Sequence, residues 1–368
     1  MKKLIPFFMA SLLVGAAACN KNIGPSSGTP VHDGPSGRIR VEIDSSPESK
    51  ASDAEKKDFQ INTVQVLVFN SGTGTKETDR FETLSPAASG STAITLNTLT
   101  GPKVVYALVN APRVTVNTLS ALEAHLSDLK ENSATNLVMS GKTTVTVQEY
   151  DTNKNPSATA QAFSVNVKRL AAMIVLDKVT VNFKGTMLEG GTFTIQEIYA
   201  KNVMGKAPMG VDGTGKPLAV SDTEHQNAAN WYNPKTKVAG CPGITADAFS
   251  LPCTADAETP VGHFLLVYPN KTTGDSTDET FGPRKTRLVI KARVTSGSFA
   301  SPAIDEVSYY TFDMPVLQAN NVYKVTNINI SMLGKKNDDT DEKTLVGVLT
   351  PTITVDPWFE PVPIKYEM

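Results

Sequence analysis

Residues able to carry chemistry are few, and their spacing argues against most of it. Residues 210–216 read G-x-x-x-x-G-K, the spacing of a phosphate-binding loop. The next residue is Pro217, where magnesium coordination calls for Ser or Thr, and no strand-then-helix pattern frames it. A glycine-rich surface turn is the plainer reading. Asp338, Asp339, Asp341 and Glu342 cluster without the glycine and terminal glutamate of a regular calcium loop, and read as a solvated connection. His125 falls on an expected helix, and His225 and His263 are isolated, so none has metal-ligand spacing. No nucleophile-elbow motif supports a Ser-His-Asp arrangement. The Trp231-Tyr232 pair offers flat surfaces for stacking on a sugar, or equally for anchoring its own loop. The reading is of a non-enzymatic chain with no catalytic residues, no metal and no cofactor.

Composition agrees. The 368 residues carry a formal charge of −2, and 40% are hydrophobic, enough for real cores and too few for a polytopic membrane protein. That balance lacks the electrostatic footprint of a nucleic-acid binder. Lys2 and Lys3 precede an apolar run over residues 4–18 that ends in Ala-Ala-Ala-Cys, a secretory signal pattern too short for a comfortable membrane span. The ending looks like a bacterial lipobox with Cys19 acylated; the alternative is an ordinary signal peptide that happens to end near a cysteine. Residues 1–18 are thus read as signal peptide and 19–37 as a lipid-anchored flexible tether rich in Ser, Gly, Pro and Asn. Export also places Cys241 and Cys253 in an oxidising space, where they could pair or remain two thiols. A disulfide closing so short a loop would contribute about 3 kcal/mol.

The elements that would position any site follow period two. Ile39, Val41 and Ile43 alternate with Arg38, Arg40 and Glu42, a half-buried strand. TVQVLVF at residues 63–69 and KVVYALV at residues 103–109 are nearly continuous apolar runs, as central strands require. Residues 143–147 and 163–167 alternate again, as do Leu288, Ile290, Ala292 and Val294, then Ile328, Ile330 and Met332. Only Leu119, Leu122, Leu126 and Leu129 have helical spacing, with Ser120 and Glu123 as a capping box. The fold expected is mostly β: two antiparallel β-sandwich-like domains, 38–163 and 164–368, with one short helix in the first. Residues 204–262 form an unusually long turn-rich stretch between the two strand sets.

The order of these elements resembles the fimbrillins, lipoprotein-derived subunits of type V pili in Gram-negative anaerobes. The likeness runs over most of the chain: lipid signal, tether, first strand, TVQVLVFN (63–70), KVVYALVNA (103–111) and the helix after it. It continues through VKRLAAMIVL (167–176), NNVYKVTNINISMLG (320–334) and TITVDPW (352–358). The resemblance implies a precursor carried to the outer membrane by its lipid, then cut after a basic residue in the loop following the first strand by a trypsin-like protease. Lys50, before Ala51, is the matching position, with Lys56 and Lys57 as neighbours, although better-known relatives use arginine there. Lys50 is otherwise an ordinary exposed lysine. Cutting would release the strand carrying Ile39, Val41 and Ile43 and open an apolar groove for a terminal strand of a neighbouring subunit.

A comb suited to that role recurs near the C-terminus, where Val362, Ile364 and Tyr366 stand at period two, with Ile353 and Val355 upstream. Pro361 and Pro363 remove two amides from the same edge, which suits an added strand, although an edge strand of its own domain would also tolerate them. The function implied is a fimbrial structural subunit contributing to adhesion, with other copies of itself and other fimbrial subunits as partners, at the outer membrane and in the extracellular fimbrium. The alternative is a permanently lipid-anchored surface protein that binds glycans or host molecules through residues 204–262.

Overall fold

β-branched residues alternating with polar ones favour extended pairing, and in the computed structural model the regular elements are mostly strands. It describes residues 35–45, 60–232, 247–277, 281–298, 300–337 and 349–358. The first half supplies β1 (Ser36–Asp44), β2 (Gln60–Asn70), β3 (Lys76–Ser89), β4 (Ser91–Leu99) and β5 (Gly101–Val109). After α1 (Leu119–Glu123) come β6 (Leu126–Asp128), β7 (Met139–Val147), β8 (Gln161–Asn166) and β9 (Lys168–Arg169). One sheet has the order β3-β2-β5-β7-β9 and faces a three-stranded sheet of order β4-β1-β8. Val64, Val66 and Val68 of β2 and Val105, Ala107 and Val109 of β5 fill the space between them. The opposite faces of the same strands, with Leu67, Phe69, Tyr106 and Leu108, belong to a second core that continues into the other half of the chain. Burial on both faces explains why these two strands read as unbroken apolar runs.

The second half supplies β10 (Ala172–Val181), β11 (Thr192–Lys201), β12 (Val203–Met204), β13 (Lys206–Pro208), α2 (Asp222–Gln226), β14 (Trp231–Tyr232) and β15 (Asp247–Cys253). It continues with β16 (Ala257–Val267), β17 (Arg287–Thr295), β18 (Asp305–Asp313), β19 (Asn321–Ile330) and β20 (Leu349–Pro357). Two four-stranded sheets result, ordered β16-β10-β19-β20 and β15-β11-β17-β18. β13 pairs with β6, so a short ladder links the halves.

The structure departs from the sequence expectations at five places. The expected helix stops at Glu123, because Met209 donates to the His125 carbonyl at 2.8 Å and residues 126–128 pair with β13. Its cap is Thr118, whose Oγ1 accepts from the Ala121 amide at 3.2 Å. Glu123 is instead engaged by the Tyr106 hydroxyl at 2.7 Å and Lys142 Nζ at 2.8 Å. A second short helix, α2, also forms. β8 spans the expected boundary at residue 163, and both it and β9 complete first-half sheets, so the change of strand set comes at Leu170 and Ala171. The sheets are also mixed: β1 with β8 and β10 with β19 run parallel. Met332 lies beyond the end of β19 with its side chain exposed.

Candidate functional site

β1 is the strand on which the functional reading turns, and its local sequence dictates its placement. Alternation puts Gly37, Ile39, Val41 and Ile43 inward, fully buried, and leaves Arg38, Arg40 and Glu42 exposed. β4 runs antiparallel on one side, with Ile39 opposite Leu96 and Val41 opposite Ile94. β8 runs parallel on the other, with Val41 opposite Phe163 and Ile43 opposite Val165. The floor beneath is Val66 and Val68, Val105 and Ala107, and Met139, Val145 and Val147. Burying the three large β1 side chains is worth about 5–9 kcal/mol by transfer values, before entropy is subtracted.

The ends are pinned by backbone. The Ser36 carbonyl accepts from the Tyr150 amide at 2.8 Å, and the Asp44 carbonyl accepts from the Val167 amide at 2.9 Å. Ser45 donates to the Gly90 carbonyl at 2.8 Å. At Gly37 the strand passes so close to β7 that a Cβ there would lie 2.4 Å from Val147 Cγ1. The comb therefore has three teeth and one position that admits glycine alone. Outward, the cross-strand neighbours of Arg38, Arg40 and Glu42 are uncharged: Asn97, Thr95 and Ala93 on β4, and Ala162 and Ser164 on β8.

β1 is the only ladder partner of β4 and of β8 among the described strands. Taking it away would leave those two strands about 9–10 Å apart, twice the normal strand spacing. The opening would be floored by valine and edged by unpaired amides and carbonyls, a template for another strand.

An ion pair lies beside the N-terminal end of β1. Lys103 Nζ and Glu77 Oε1 are 2.9 Å apart and nearly without solvent contact. The second Glu77 oxygen accepts from Thr98 Oγ1 at 2.8 Å, and Lys103 also donates to the Thr100 carbonyl at 2.8 Å. Desolvation pushes the Glu77 carboxyl upward, but Lys103 and Thr98 outweigh it and hold the carboxyl below its usual value.

The C-terminal end of the described chain is fixed at the seam between the halves. Trp358 is buried, with its amide donating to the Asn320 carbonyl at 2.9 Å. The Arg169 guanidinium lies over its ring at 4.8 Å from the centroid, and Arg169 Nη1 donates to the Trp358 carbonyl at 3.2 Å. Arg169 and Trp358 each fall in a motif noted in the sequence, but nothing in the sequence pairs two residues so far apart.

The remaining candidates resolve into structure. Residues 210–217 form a hairpin in which Asp212 Oδ1 accepts from the Thr214 amide at 2.8 Å and the Lys216 amide at 3.0 Å. A carboxylate thus occupies the amides a phosphate would need. Trp231 and Tyr232 are buried: the indole donates to the His225 carbonyl at 2.9 Å and the Tyr232 hydroxyl bonds Asp128. Neither ring is free to stack on a sugar. His225 is buried against Asn270 and Thr272, and burial lowers its pKa. No group of three metal-ligating side chains occurs among the described residues. Cys253 is buried, has no disulfide partner among the described residues, and as a thiol has its pKa pushed by burial up to about 11; Cys241 lies outside the described residues. Cys19, Lys50, Ala51, Val362, Ile364, Tyr366 and the acidic cluster also lie outside them. No helix among the described residues is long and apolar enough to cross a membrane.

Residues 37–203 match the family model of the major fimbrial subunit protein (FimA). No curated protein sequence matches the chain. Among solved structures, a protein named for cell adhesion from Bacteroides eggerthii superposes with a TM-score of 0.60 at 19% identity, covering 88% of this chain and 97% of its own. Another so named, from Parabacteroides distasonis, gives a TM-score of 0.60 at 16% identity, covering 88% and 99%. A fimbrilin from Porphyromonas gingivalis gives 0.57 at 17% identity, covering 87% and 97%. At such identities the structural likeness is one of fold. Residues 37–203, which hold β1 and both sheets around it, are thus the part of the chain that matches the major fimbrial subunit protein family, on a fold shared with the solved fimbrilin.

Proposed function

We propose that the protein is a polymerising subunit of a cell-surface fimbria, assembled by strand exchange and contributing to adhesion. In this reading it is exported as a lipoprotein acylated at Cys19, held at the outer membrane, and cut after Lys50 by a trypsin-like protease. β1 then leaves, and the C-terminal comb of a second copy, Val362, Ile364 and Tyr366, enters between β4 and β8. One observation carries the reading. A strand with Ile39, Val41 and Ile43 wholly buried is the middle of a three-stranded sheet, so its departure opens an apolar, hydrogen-bonding slot of strand width. The resemblance of the chain's motif order to the fimbrillins supports the processing steps.

The test is direct. Mass spectrometry of surface-extracted protein should find an N-terminus between Ala51 and Asp58, and limited trypsin treatment of the precursor should produce high-mass ladders. Val362→Asp and Ile364→Asp should each abolish the ladders by placing a charge in an apolar slot. Normal polymerisation by both variants would remove the C-terminal comb from the scheme. Assembled protein that still carries an acylated Cys19 would make the chain an anchor instead.

A further inference from the structure

The slot just described has two walls, β8 and β4, that differ in what holds their middles. β8 is followed after one residue by β9, which pairs with β7, and its Asn166 backbone presses on Gly141, where a Cβ would lie 2.2 Å from the Asn166 carbonyl oxygen. β8 is therefore held by main chain even when β1 is absent. β4 is joined through the single residues Gly90 and Thr100 to β3 and β5 of the other sheet, but between those ends its one described ladder is to β1. Without that ladder it is a nine-residue strand held at its two ends and by the packing of Ile94 and Leu96. An unpaired strand of this kind is free to collapse into the slot, covering Val66 and Val105 and closing the entrance to another chain.

Two side chains from β3 counter this. Arg80 Nη1 donates to the Thr95 carbonyl, in the middle of β4, at 2.7 Å. Glu77 Oε2 accepts from Thr98 Oγ1 at 2.8 Å, near the C-terminal end of β4. Both residues stand on a strand that pairs with β2 in the other sheet, with Arg80 opposite Val66 and Thr78 opposite Val68. Glu77 is itself locked by the buried Lys103. Neither contact involves β1, so both persist when it leaves. Charge-assisted bonds of this type are about twice as strong as neutral ones.

We propose that Glu77 and Arg80, reaching from β3 to β4, are positioning residues that hold the β4 wall of the slot open when β1 is absent. This rests on the strand-exchange reading, in which an empty or refilling slot exists at all. The contacts then matter little to the closed precursor, where the β1 ladder already fixes β4, and matter greatly to the open form.

The experiment uses the full chain, cut with trypsin, freed of β1 in mild denaturant, and mixed after protease inhibition with a fluorescent peptide of residues 36–44. Wild type should capture the peptide. Arg80→Ala and Glu77→Gln should capture it at least tenfold more weakly, while uncut Arg80→Ala melts within a few degrees of wild type. Arg80→Lys, which keeps a cationic donor, should recover part of the loss. If uncut Glu77→Gln fails to fold, exposed Arg80 carries the test alone. Capture by Arg80→Ala equal to wild type overturns the proposal and leaves strand exchange intact. Failure of wild type to capture the peptide overturns strand exchange, and the proposal with it.

Discussion

β1 and β10 are laid out on one plan, each an inner strand with an antiparallel neighbour on one side and a parallel neighbour on the other. Their surroundings differ. β1 buries one face and exposes Arg38, Arg40 and Glu42 on the other, whereas residues 172–176 of β10 are buried without a break. β1 contributes to a core confined to the first half, while β10 contributes to the larger core shared by both. The chain between β1 and β2 runs through residues 45–59, but only Leu170 and Ala171 separate β9 from β10. Same pairing and different embedding suit β1, in the proposed scheme, to exchange and β10 to remain part of the frame.

Charge substitution probes this contrast most strongly. Ile174→Asp buries an unpaired carboxylate in the shared core and should abolish folding, read as loss of soluble monomer. Val41→Asp should cost the precursor about 4 kcal/mol, yet leave the second half folded, with a native near-ultraviolet signal from Trp231 and Trp358. Unfolding of the whole chain by Val41→Asp would erase the distinction between the two strands.

A smaller effect tests the tight passage at Gly37. Gly37→Val drives a branched side chain against Val147 and should destabilise the precursor by about 1–3 kcal/mol in a denaturant titration. The same change on an isolated peptide of residues 36–44 should weaken its capture by the open slot. The smallest effect belongs to the exposed face: Arg40, whose partner Glu42 is also half exposed, should alter the melting temperature by no more than about 1 °C when changed to Ala. A large change there would mean that the outward face, and not the comb, secures β1.

Much of this was legible in the residues. Ile39, Val41 and Ile43 announced their strand and its buried face through alternation alone, and the runs at 63–69 and 103–109 announced burial on both faces. Helical spacing at Leu119, Leu122, Leu126 and Leu129 misled, because the pairing of residues 126–128 with 206–208 outweighs the local preference of four leucines. Strand direction was illegible in principle, since alternation is the same read either way, and the parallel pairing of β1 with β8 joins segments about 120 positions apart. The grip of Glu77 on β4 was hidden for the same reason: a glutamate on a polar strand gives no sign that a buried lysine faces it. Of the candidate assembly residues, the slot is described and the comb at Val362, Ile364 and Tyr366 remains the proposal's own.

The indole of Trp358 gives the last described strand a mechanical end point. A load applied to the chain beyond residue 358 must first drag that ring from beneath the Arg169 guanidinium and break the hydrogen bond from the Trp358 backbone amide to the Asn320 carbonyl, before β20 can peel from β19. Asn320 in turn donates to the Ala171 carbonyl at 2.9 Å. In the proposed fibre, tension would therefore be delivered to Ala171 and the core it shares with Trp358, where the first strand set gives way to the second, and not to the surface where Val355 lies bare.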